Sequence, residues 1–593
     1  MATGSSVNNP DNAAPHPGHP TMGPVHNTDG VFEDLKAAQR EFGYLPAAQI
    51  ELIAQKHTLH IKDVHAVASF YPHFHMTPPS RVDVRVCTDM SCHLRGAGDL
   101  KTILLQKAAN TKKEELSVRD VSCLGRCDYA PAFSINDRIY CNMAESSIVN
   151  LVESALLGKA LPEPEVIKVS PQLQTDPYLG KGRDERYGVL RKALEKRDWT
   201  GITAMLKTAG LRGMGGAGFP TGVKWEAVKG APGDEKYIVC NADESEPGTI
   251  KDRYIMENLP HLLVEGMILA GLVTGARTGI VYIRHEYENP QEIIEEEIHH
   301  CYLSGILGDD VMGSGLTFDL RVFVSPGGYV CGEETALIEA IEGKRSEPRN
   351  KPPFPVYVGL WNKPTVINNV ESFVLAIAIL GHGVDWWKNY GRNGIAGIKF
   401  VGISGDVINP GIFEVPMGIS YEELIVGHAG GAPGGRRIVG FAPSGPSSGY
   451  LPASMMNLPL DWNEMAKVGS MVGSGAIVVC AEPTCMLDMA LNSVKFYRNE
   501  SCGKCVPCRV GSQKMVDIIT NWTQGKYEPS DMQLVEELSD ALRLTSICGL
   551  GQIVPAPIQS VIQHFRAEVD EHILHQRCPA DICFKEKPVG ATQ

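Results

Sequence analysis

The sequence predicts a multidomain α/β protein, and three observations carry that reading. A chain of 593 residues allows roughly three to five domains at about 100–200 residues each. Short strand-like runs end in cysteines or glycine-rich loops, while helical periodicity prevails towards both ends. The 16 cysteines crowd at the two ends and thin out between them. Composition narrows the class. Hydrophobic residues at 43% and charged residues at 21% describe a folded chain rather than a disordered one. With 55 basic against 69 acidic side chains the formal charge is −14, which argues against a general nucleic-acid or anionic-membrane binder. No stretch reaches the roughly 18 uninterrupted apolar residues of a membrane span; 261–276 comes nearest and carries Glu265. The Pro-, Gly- and Asn-rich start shows no apolar signal segment. A cytoplasmic location is therefore expected, where paired cysteines bind metal or carry redox chemistry rather than form disulfides.

Residues 1–30 lack apolar periodicity and read as a disordered tail. Residues 31–80 form a helical N-terminal segment, with Phe32, Leu35, Phe42, Ile50, Ile53, Val64 and Val67 at helical spacing, and Pro78-Pro79 ends it. A small α/β domain is expected over 81–160. There Val82, Val84 and Val86 alternate into Cys87, and a helix covers 100–108. A strand over 116–121 then runs into Cys123, and 133–140 reads as a hairpin turned at Asn136-Asp137. The proline-rich, polar stretch 160–185 reads as a linker. It opens a domain over 161–395 in which strands at 237–240, 280–283 and 320–324 alternate with glycine-rich loops. Residues 396–480 combine short strands with Gly-Pro turns, a small β-rich domain. From 481 to 577 the pattern is helical, its last helix running over 556–574, and 578–593 is a tail bearing cysteines.

Cys502, Cys505 and Cys508 form a C-x2-C-x2-C run, with Cys548 the candidate fourth ligand. Three thiolates at that spacing converge on one cubane and a distant fourth closes it, as in [4Fe–4S] ligation. Structural zinc is the alternative, but zinc usually takes two C-x2-4-C pairs. Cys87-x4-Cys92 and Cys123-x3-Cys127 are two strand-end pairs, whose spacing suits a [2Fe–2S] cluster and a tetrahedral zinc equally. Cys578-x4-Cys583, preceded by His572 and His575, needs a further ligand, for which Cys480 and Cys485 are available.

Between the cysteine sites lie glycine loops. Gly213-Met-Gly215-Gly-Ala-Gly218 matches G-x-G-x-x-G, but the residues before it are helical and Phe219-Pro220 follows at once. That disfavours an ordinary Rossmann unit and leaves a phosphate cradle of backbone N–H groups, with Lys224 placed to neutralise a phosphate. Asn241, Asp243, Glu244 and Glu246 leave a strand end with donors and acceptors for ribose and ring nitrogens; a solvated acidic turn is the plainer reading. The same two readings apply to 327–334 and to Asn368-Asn369.

Taken together, the strings GMGGAGFPTGVKW (213–225), CNADESEPGTIKDRY (240–254), GGYVCGEETALIEAIEGKRSEPRNKPPFP (327–355), PTVINNVES (364–372) and ESCGKCVPCR (500–509) closely resemble the NADH-binding flavoprotein subunit of respiratory complex I. That subunit type recurs in soluble NAD-linked hydrogenases and formate dehydrogenases. CTDMSC (87–92) and CLGRCDYAPAFSINDRIY (123–140) resemble the small thioredoxin-like [2Fe–2S] subunit of the same complexes. The resemblance covers about 31–583, with the two units fused in one chain.

It implies a thioredoxin-like [2Fe–2S] domain over 81–160 and an atypical Rossmann-like FMN/NAD domain over 161–395. A β-grasp-like domain over 396–480 and a C-terminal helical bundle with [4Fe–4S] over 481–577 would follow. FMN would lie over the glycine loop, with Gly213, Gly215 and Lys224 near its phosphate side. Asn241, Asp243, Tyr329, Gly332, Glu333, Glu334, Asn368 and Asn369 would hold the flavin. Phe219 and Phe354 would sandwich rings of NAD(H), since aromatic faces stack on planar bases. Glu246 and Lys351 would contact the dinucleotide, Glu246 being the residue that orients it for hydride transfer. One departure is Met214, where many relatives have Arg, and it leaves NADH against NADPH open. A second lies in the segments around Cys485 and 570–583, which look like hydrogenase and formate dehydrogenase diaphorase subunits with an added zinc site; Cys485, His572, Cys578 and Cys583 would be its ligands.

The function so implied is the NAD(H)-oxidising or -reducing diaphorase module of a soluble multi-subunit oxidoreductase. Its partner subunits would belong to a hydrogenase, formate dehydrogenase or similar reductase, with ferredoxin a further candidate and electron bifurcation left open. The alternative is the peripheral NADH dehydrogenase subunit of membrane-bound complex I.

Overall fold

A computed structural model describes residues 30–164 and 171–584. The tail expected at the N-terminus, bar Gly30, and residues 585–593 lie outside the described residues. Three helices, Val31–Phe42, Ala47–Lys56 and Ile61–Phe70, come first. Their apolar faces do not pack on the domain that follows them in sequence. Phe32 meets Tyr71 edge-on at 5.1 Å and Phe323 at 6.0 Å, so this segment sits on the flavin-domain sheet.

The first sheet consists of β1 (Val82–Cys87), β2 (Leu116–Val121), β3 (Ala132–Ile135) and β4 (Arg138–Cys141), in the order β2-β1-β3-β4. Strands β1 and β2 are parallel with Cys87 opposite Val121, so the two cysteine loops leave the same sheet edge side by side. The second sheet is wholly parallel: β5 (Tyr237–Ala242), β6 (Thr278–Arg284), β7 (Asp319–Ser325) and β8 (Thr365–Asn369), in the order β7-β6-β5-β8. Parallel sheets are covered on both faces: the helices Pro260–Thr274 and Val370–His382, buried almost all round, cover one, and the three N-terminal helices with the helix Glu334–Ile341 cover the other. This accounts for the apolar run at 261–276: it is a core helix. Among the described residues no single helix is long and apolar enough to cross a membrane.

The third sheet is mixed: β9 (Ile398–Gly405), β10 (Gly411–Pro416), β11 (Ile438–Pro446), β12 (Leu451–Pro452) and β13 (Ala476–Ala481), in the order β10-β9-β13-β11-β12. Helices Met486–Glu500, Val506–Thr523, Asp531–Thr545, Gly549–Ile553, Ala556–His564 and Arg566–His575 complete the chain. The single helix expected over 556–574 is two, broken at Phe565, whose ring lies over Gly440 of β11. The stretch expected to be a linker is, from residue 171 on, strapped down. Glu414 accepts the backbone N–H groups of Gln174 and Thr175, both at 2.7 Å, and buried Glu265 accepts the Tyr178 hydroxyl at 2.9 Å and Leu190 N–H at 2.8 Å.

The first domain is docked on the flavin domain, the third sheet and the C-terminal helices by specific bonds. Arg253 pairs with Asp128 at 2.6 Å and donates to the Gly125 carbonyl, while Arg284 donates to the Cys123 carbonyl at 2.6 Å. Arg95 donates to the Gly405 and Val407 carbonyls at 2.9 Å, and His93 meets Asp488 at 2.7 Å. Gly125 permits a close approach at this seam: its φ is +67°, and a Cβ there would come within 2.5 Å of the Tyr287 ring. Breaking a buried ion pair by removing one partner costs about 3–5 kcal/mol. Arg253→Ala is accordingly expected to lower stability by about that amount in a denaturant titration, and to speed limited proteolysis between the first domain and the flavin domain. An unchanged midpoint and digestion rate would refute this account of docking.

Candidate redox site

The four thiols of the first domain converge because two parallel strands end together. Cys87 closes β1, Cys92 lies on the helix Met90–Leu94, Cys123 follows β2 and Cys127 opens the turn Cys127–Tyr129. All four are buried, and Cys123 Sγ lies 3.4 Å from Cys127 Sγ. Two amides donate to sulfur: Gly125 N–H to Cys123 at 3.4 Å, and Gly248 N–H, from the flavin domain, to Cys127 at 3.3 Å. Such bonds are among the levers that tune an iron–sulfur cluster.

Cys502, Cys505, Cys508 and Cys548 line one small pocket together with Val330, Pro348, Ile547 and Leu550. Cys505 caps the helix Val506–Thr523 and Cys548 caps Gly549–Ile553, so two helix N-termini, each partly positive, face the same space. Burial pushes the Cys508 thiol up to about 12 and Cys548 to about 11, so ligation here must expel protons.

The C-terminal set is different in scale. Cys485, His572, Cys578 and Cys583 are the one group of such donors among the described residues whose ligand atoms all lie within 4.8 Å of one another. Cys485 Sγ is 3.5 Å from His572 Nε2 and 3.7 Å from Cys583 Sγ. His572 Nδ1 bonds the Glu568 carbonyl at 2.8 Å, which leaves Nε2 free for a metal. Three sulfurs and one imidazole at single-ion separation suit a structural zinc. Neither of the other cysteine sets is that tight, as expected of donors spread around a larger inorganic core.

The glycine loops meet at the C-terminal edge of the parallel sheet. Asn241 of β5 lies opposite Asn369 of β8, and its amide donates to the Gly332 carbonyl at 2.8 Å. Asn369 donates to Asp252 at 2.6 Å. Its neighbour Asn368, on the other face of the strand, accepts the Trp225 indole N–H at 3.2 Å, so the predicted pair is split. The 213–218 loop is closed by Gly213 N–H donating to the Phe219 carbonyl at 2.8 Å, and a Cβ on Gly215 would press on Asn369 at 3.0 Å. Lys224 donates to the Ile367 carbonyl at 2.8 Å and stands 3.8 Å from Glu334. Lys351 bonds Glu333 at 2.9 Å and Glu334 at 3.2 Å, and Glu333 also caps the helix Glu334–Ile341. Tyr329 packs on Phe496 at 5.1 Å. Phe219 and Phe354, 51% and 49% exposed, present bare aromatic faces.

The acids fit a bound flavin and dinucleotide. Asp243 Oδ2 is buried with no partner among the described residues, and burial pushes its carboxyl up to about 8. Burial likewise pushes Glu246 up to about 7, and its Oε1 accepts Ser447 N–H at 3.1 Å. Met214 turns inwards: it is 3% exposed and its sulfur lies 3.9 Å from Lys399 Nζ. Sequence reasoning missed Arg253, Arg284 and Glu500, and took Glu244 only as one acid of the 241–246 loop. Glu244 accepts the N–H groups of Asp252 and Arg253 at 2.8 and 3.1 Å, and Glu500 accepts Tyr329 N–H at 2.7 Å. Only the position of Glu500, two residues before the cysteine triplet, offers a signal.

The fold and these sites define an iron–sulfur flavoprotein. The Nuo51 FMN-binding domain matches residues 206–378, a thioredoxin-like [2Fe–2S] ferredoxin matches 21–156, and the NADH-ubiquinone oxidoreductase-F iron–sulfur binding region matches 488–572. The F 2 subunit of the NADH-quinone oxidoreductase of Rhizobium meliloti is 42% identical over 66% of this chain and 93% of its own. The HndC subunit of the NADP-reducing hydrogenase of Solidesulfovibrio fructosivorans is 42% identical over 64% and 78%. A crystal structure of NAD+-reducing [NiFe]-hydrogenase in the H2-reduced state superposes with a TM-score of 0.81 at 31% identity, covering 92% of this chain and 94% of that one. The chain belongs to the family of NADH-quinone oxidoreductase F-type flavoproteins, here fused to a thioredoxin-like [2Fe–2S] domain. FMN, [2Fe–2S] and [4Fe–4S] are its cofactors.

Zinc at the C-terminal set has a direct check. Cys578→Ser is expected to lose about one zinc per chain by elemental analysis while iron content holds; unchanged zinc would remove Cys578 from the ligand set.

Proposed function

We propose that this chain is the diaphorase module of a multi-subunit oxidoreductase, exchanging electrons between NAD(H) and iron–sulfur partner subunits. One observation carries the reading. The loop that bears Asn241, Asp243 and Glu246 ends at Gly248, whose N–H reaches the sulfur of Cys127 at 3.3 Å. A single short loop thus joins the dinucleotide side to a cluster ligand. FMN, when bound, accepts hydride and releases electrons singly, and that chemistry belongs to the cofactor. The protein's part is placement. Phe219 and Phe354 offer faces for planar rings, Asn241, Asp243 and Asn369 offer hydrogen bonds to the flavin, and Gly213, Gly215 and Lys224 form its phosphate side. Lys351 meets the dinucleotide diphosphate as a point charge, and Glu246 takes ribose hydroxyls.

NADH is favoured over NADPH because Glu246 is the ribose acceptor in this reading, and a 2′-phosphate would remove the hydroxyl it accepts and set like charge against it. A hydrogenase-type or formate dehydrogenase-type partner is favoured over membrane-bound complex I. The Rhizobium meliloti relative leaves a third of this chain unmatched, whereas the hydrogenase chain is paralleled over 92% of it. None of the 16 cysteines is in a disulfide, which suits the reducing cytoplasm.

The purified protein is expected to be yellow-brown, to bleach with NADH and to release FMN on denaturation; a colourless protein would end this reading. Ferricyanide reduction should be faster with NADH than with NADPH. Glu246 gives a pH test. Its carboxyl, raised to about 7, is ionised only above that pH, and the ionised form is the acceptor for ribose hydroxyls. KM for NADH should therefore fall as pH rises through 7. Glu246→Ala should raise KM about tenfold or more and flatten that profile; a profile identical in the variant would exclude Glu246.

A further inference from the structure

Glu500 ends the helix Met486–Glu500, two residues before Cys502, and gives one carboxylate oxygen to each of two other loops. Oε1 accepts the hydroxyl of Ser122, which stands between β2 and Cys123. Oε2 accepts the backbone N–H of Tyr329 at 2.7 Å, where the Gly327-Gly328 loop passes along the flavin rim. The contact is backed by packing, since the Tyr329 ring lies 5.1 Å from Phe496 and 6.3 Å from Tyr497 of the same helix. One side chain therefore links the loops of the [2Fe–2S], flavin and [4Fe–4S] sites.

We infer that Glu500 is a positioning residue: it sets how closely the [2Fe–2S] loop stands to the flavin rim, and so the rate at which one electron passes from reduced flavin to the oxidised [2Fe–2S] cluster. The inference rests on the functional reading above. Among the described residues no backbone hydrogen bond joins 122–127 to 327–333. Arg284, at the end of β6, holds the Cys123 carbonyl, and Glu500 holds the adjacent Ser122 from the β7 side. A carboxylate suits this place because its two oxygens accept separate donors. Electron tunnelling falls steeply with distance, whereas hydride transfer at Phe219, Glu246 and Phe354 does not involve this bridge.

The test uses the whole chain loaded with FMN and both clusters. Ser122→Ala and Glu500→Ala should slow NADH-driven appearance of the reduced [2Fe–2S] signal, followed by freeze-quench electron paramagnetic resonance, by about tenfold or more. In Ser122→Ala, ferricyanide reduction and [4Fe–4S] reduction should stay at the wild-type rate. Hydrogen exchange supplies a second readout: the Tyr329 amide should exchange faster in Glu500→Ala and close to normally in Glu500→Gln, which retains an acceptor oxygen. Wild-type [2Fe–2S] kinetics in Ser122→Ala, or unchanged Tyr329 exchange in Glu500→Ala, overturns this inference alone. A wild-type protein that NADH does not bleach overturns the proposed function and this inference with it.

Discussion

Arg253 and Arg284 leave neighbouring elements of the flavin domain and end on one loop of the [2Fe–2S] domain. The first reaches Asp128 and the Gly125 carbonyl, the second the Cys123 carbonyl. Exposed ion pairs contribute about 0–1 kcal/mol and fix little. These guanidinium groups are buried, and their planar forks hold several acceptors in set directions. Arg284 also donates to the Glu244 carbonyl and pairs with Glu286 at 2.8 Å. Burial alone would raise the Glu286 carboxyl, but Arg284 outweighs it and holds the acid well below the usual range. Electron transfer between domains needs fixed separations, and these contacts supply them where the sequence connection between the domains is long.

A dense set of acids shares the same low-dielectric space. Asp243, Glu244 and Glu246 occupy four consecutive positions with Ser245, and burial raises all three, to about 8, 7 and 7. Water would stabilise their ionised forms, and the protein replaces it incompletely. Glu244 receives two backbone N–H groups and the Tyr287 hydroxyl, whereas one oxygen of Asp243 has no partner among the described residues. Asp243 thus keeps a buried acceptor that a ligand N–H would satisfy.

What was legible in the sequence follows the range of the interactions. The triplet at Cys502, Cys505 and Cys508 is a local pattern, and a helix N-terminus realises it directly. Strands β1, β2 and β5 to β7 are readable from alternation or apolar runs, but β8 carries Asn368 and Asn369 and its strand character depends on pairing with β5. The break at Phe565 has no local signal, because a neighbouring strand imposes it. Arg253, Arg284 and Glu500 are opaque for the same reason: the partners they hold across domains lie more than 120 residues away, and charged residues in a sequence read first as solvated. Residues 171–185 read as part of a linker because their anchors, Glu265 and Glu414, come from later elements.

Met214 shows how packing changes a question posed by sequence. A methionine in place of arginine suggests a lost contact to a cofactor phosphate. The side chain instead faces an interior network in which Lys399 and Lys251 share Glu371, at 3.1 and 3.0 Å, and Lys251 also pairs with Asp252 at 2.6 Å. Two cations and two anions already balance there, with Lys399 fully buried and its ammonium pulled down by desolvation. A guanidinium pointed the same way would add an uncompensated buried charge, at a cost of several kcal/mol. A soft thioether fills the space with no such demand. Position 214 therefore serves the packing under the glycine loop rather than a phosphate contact.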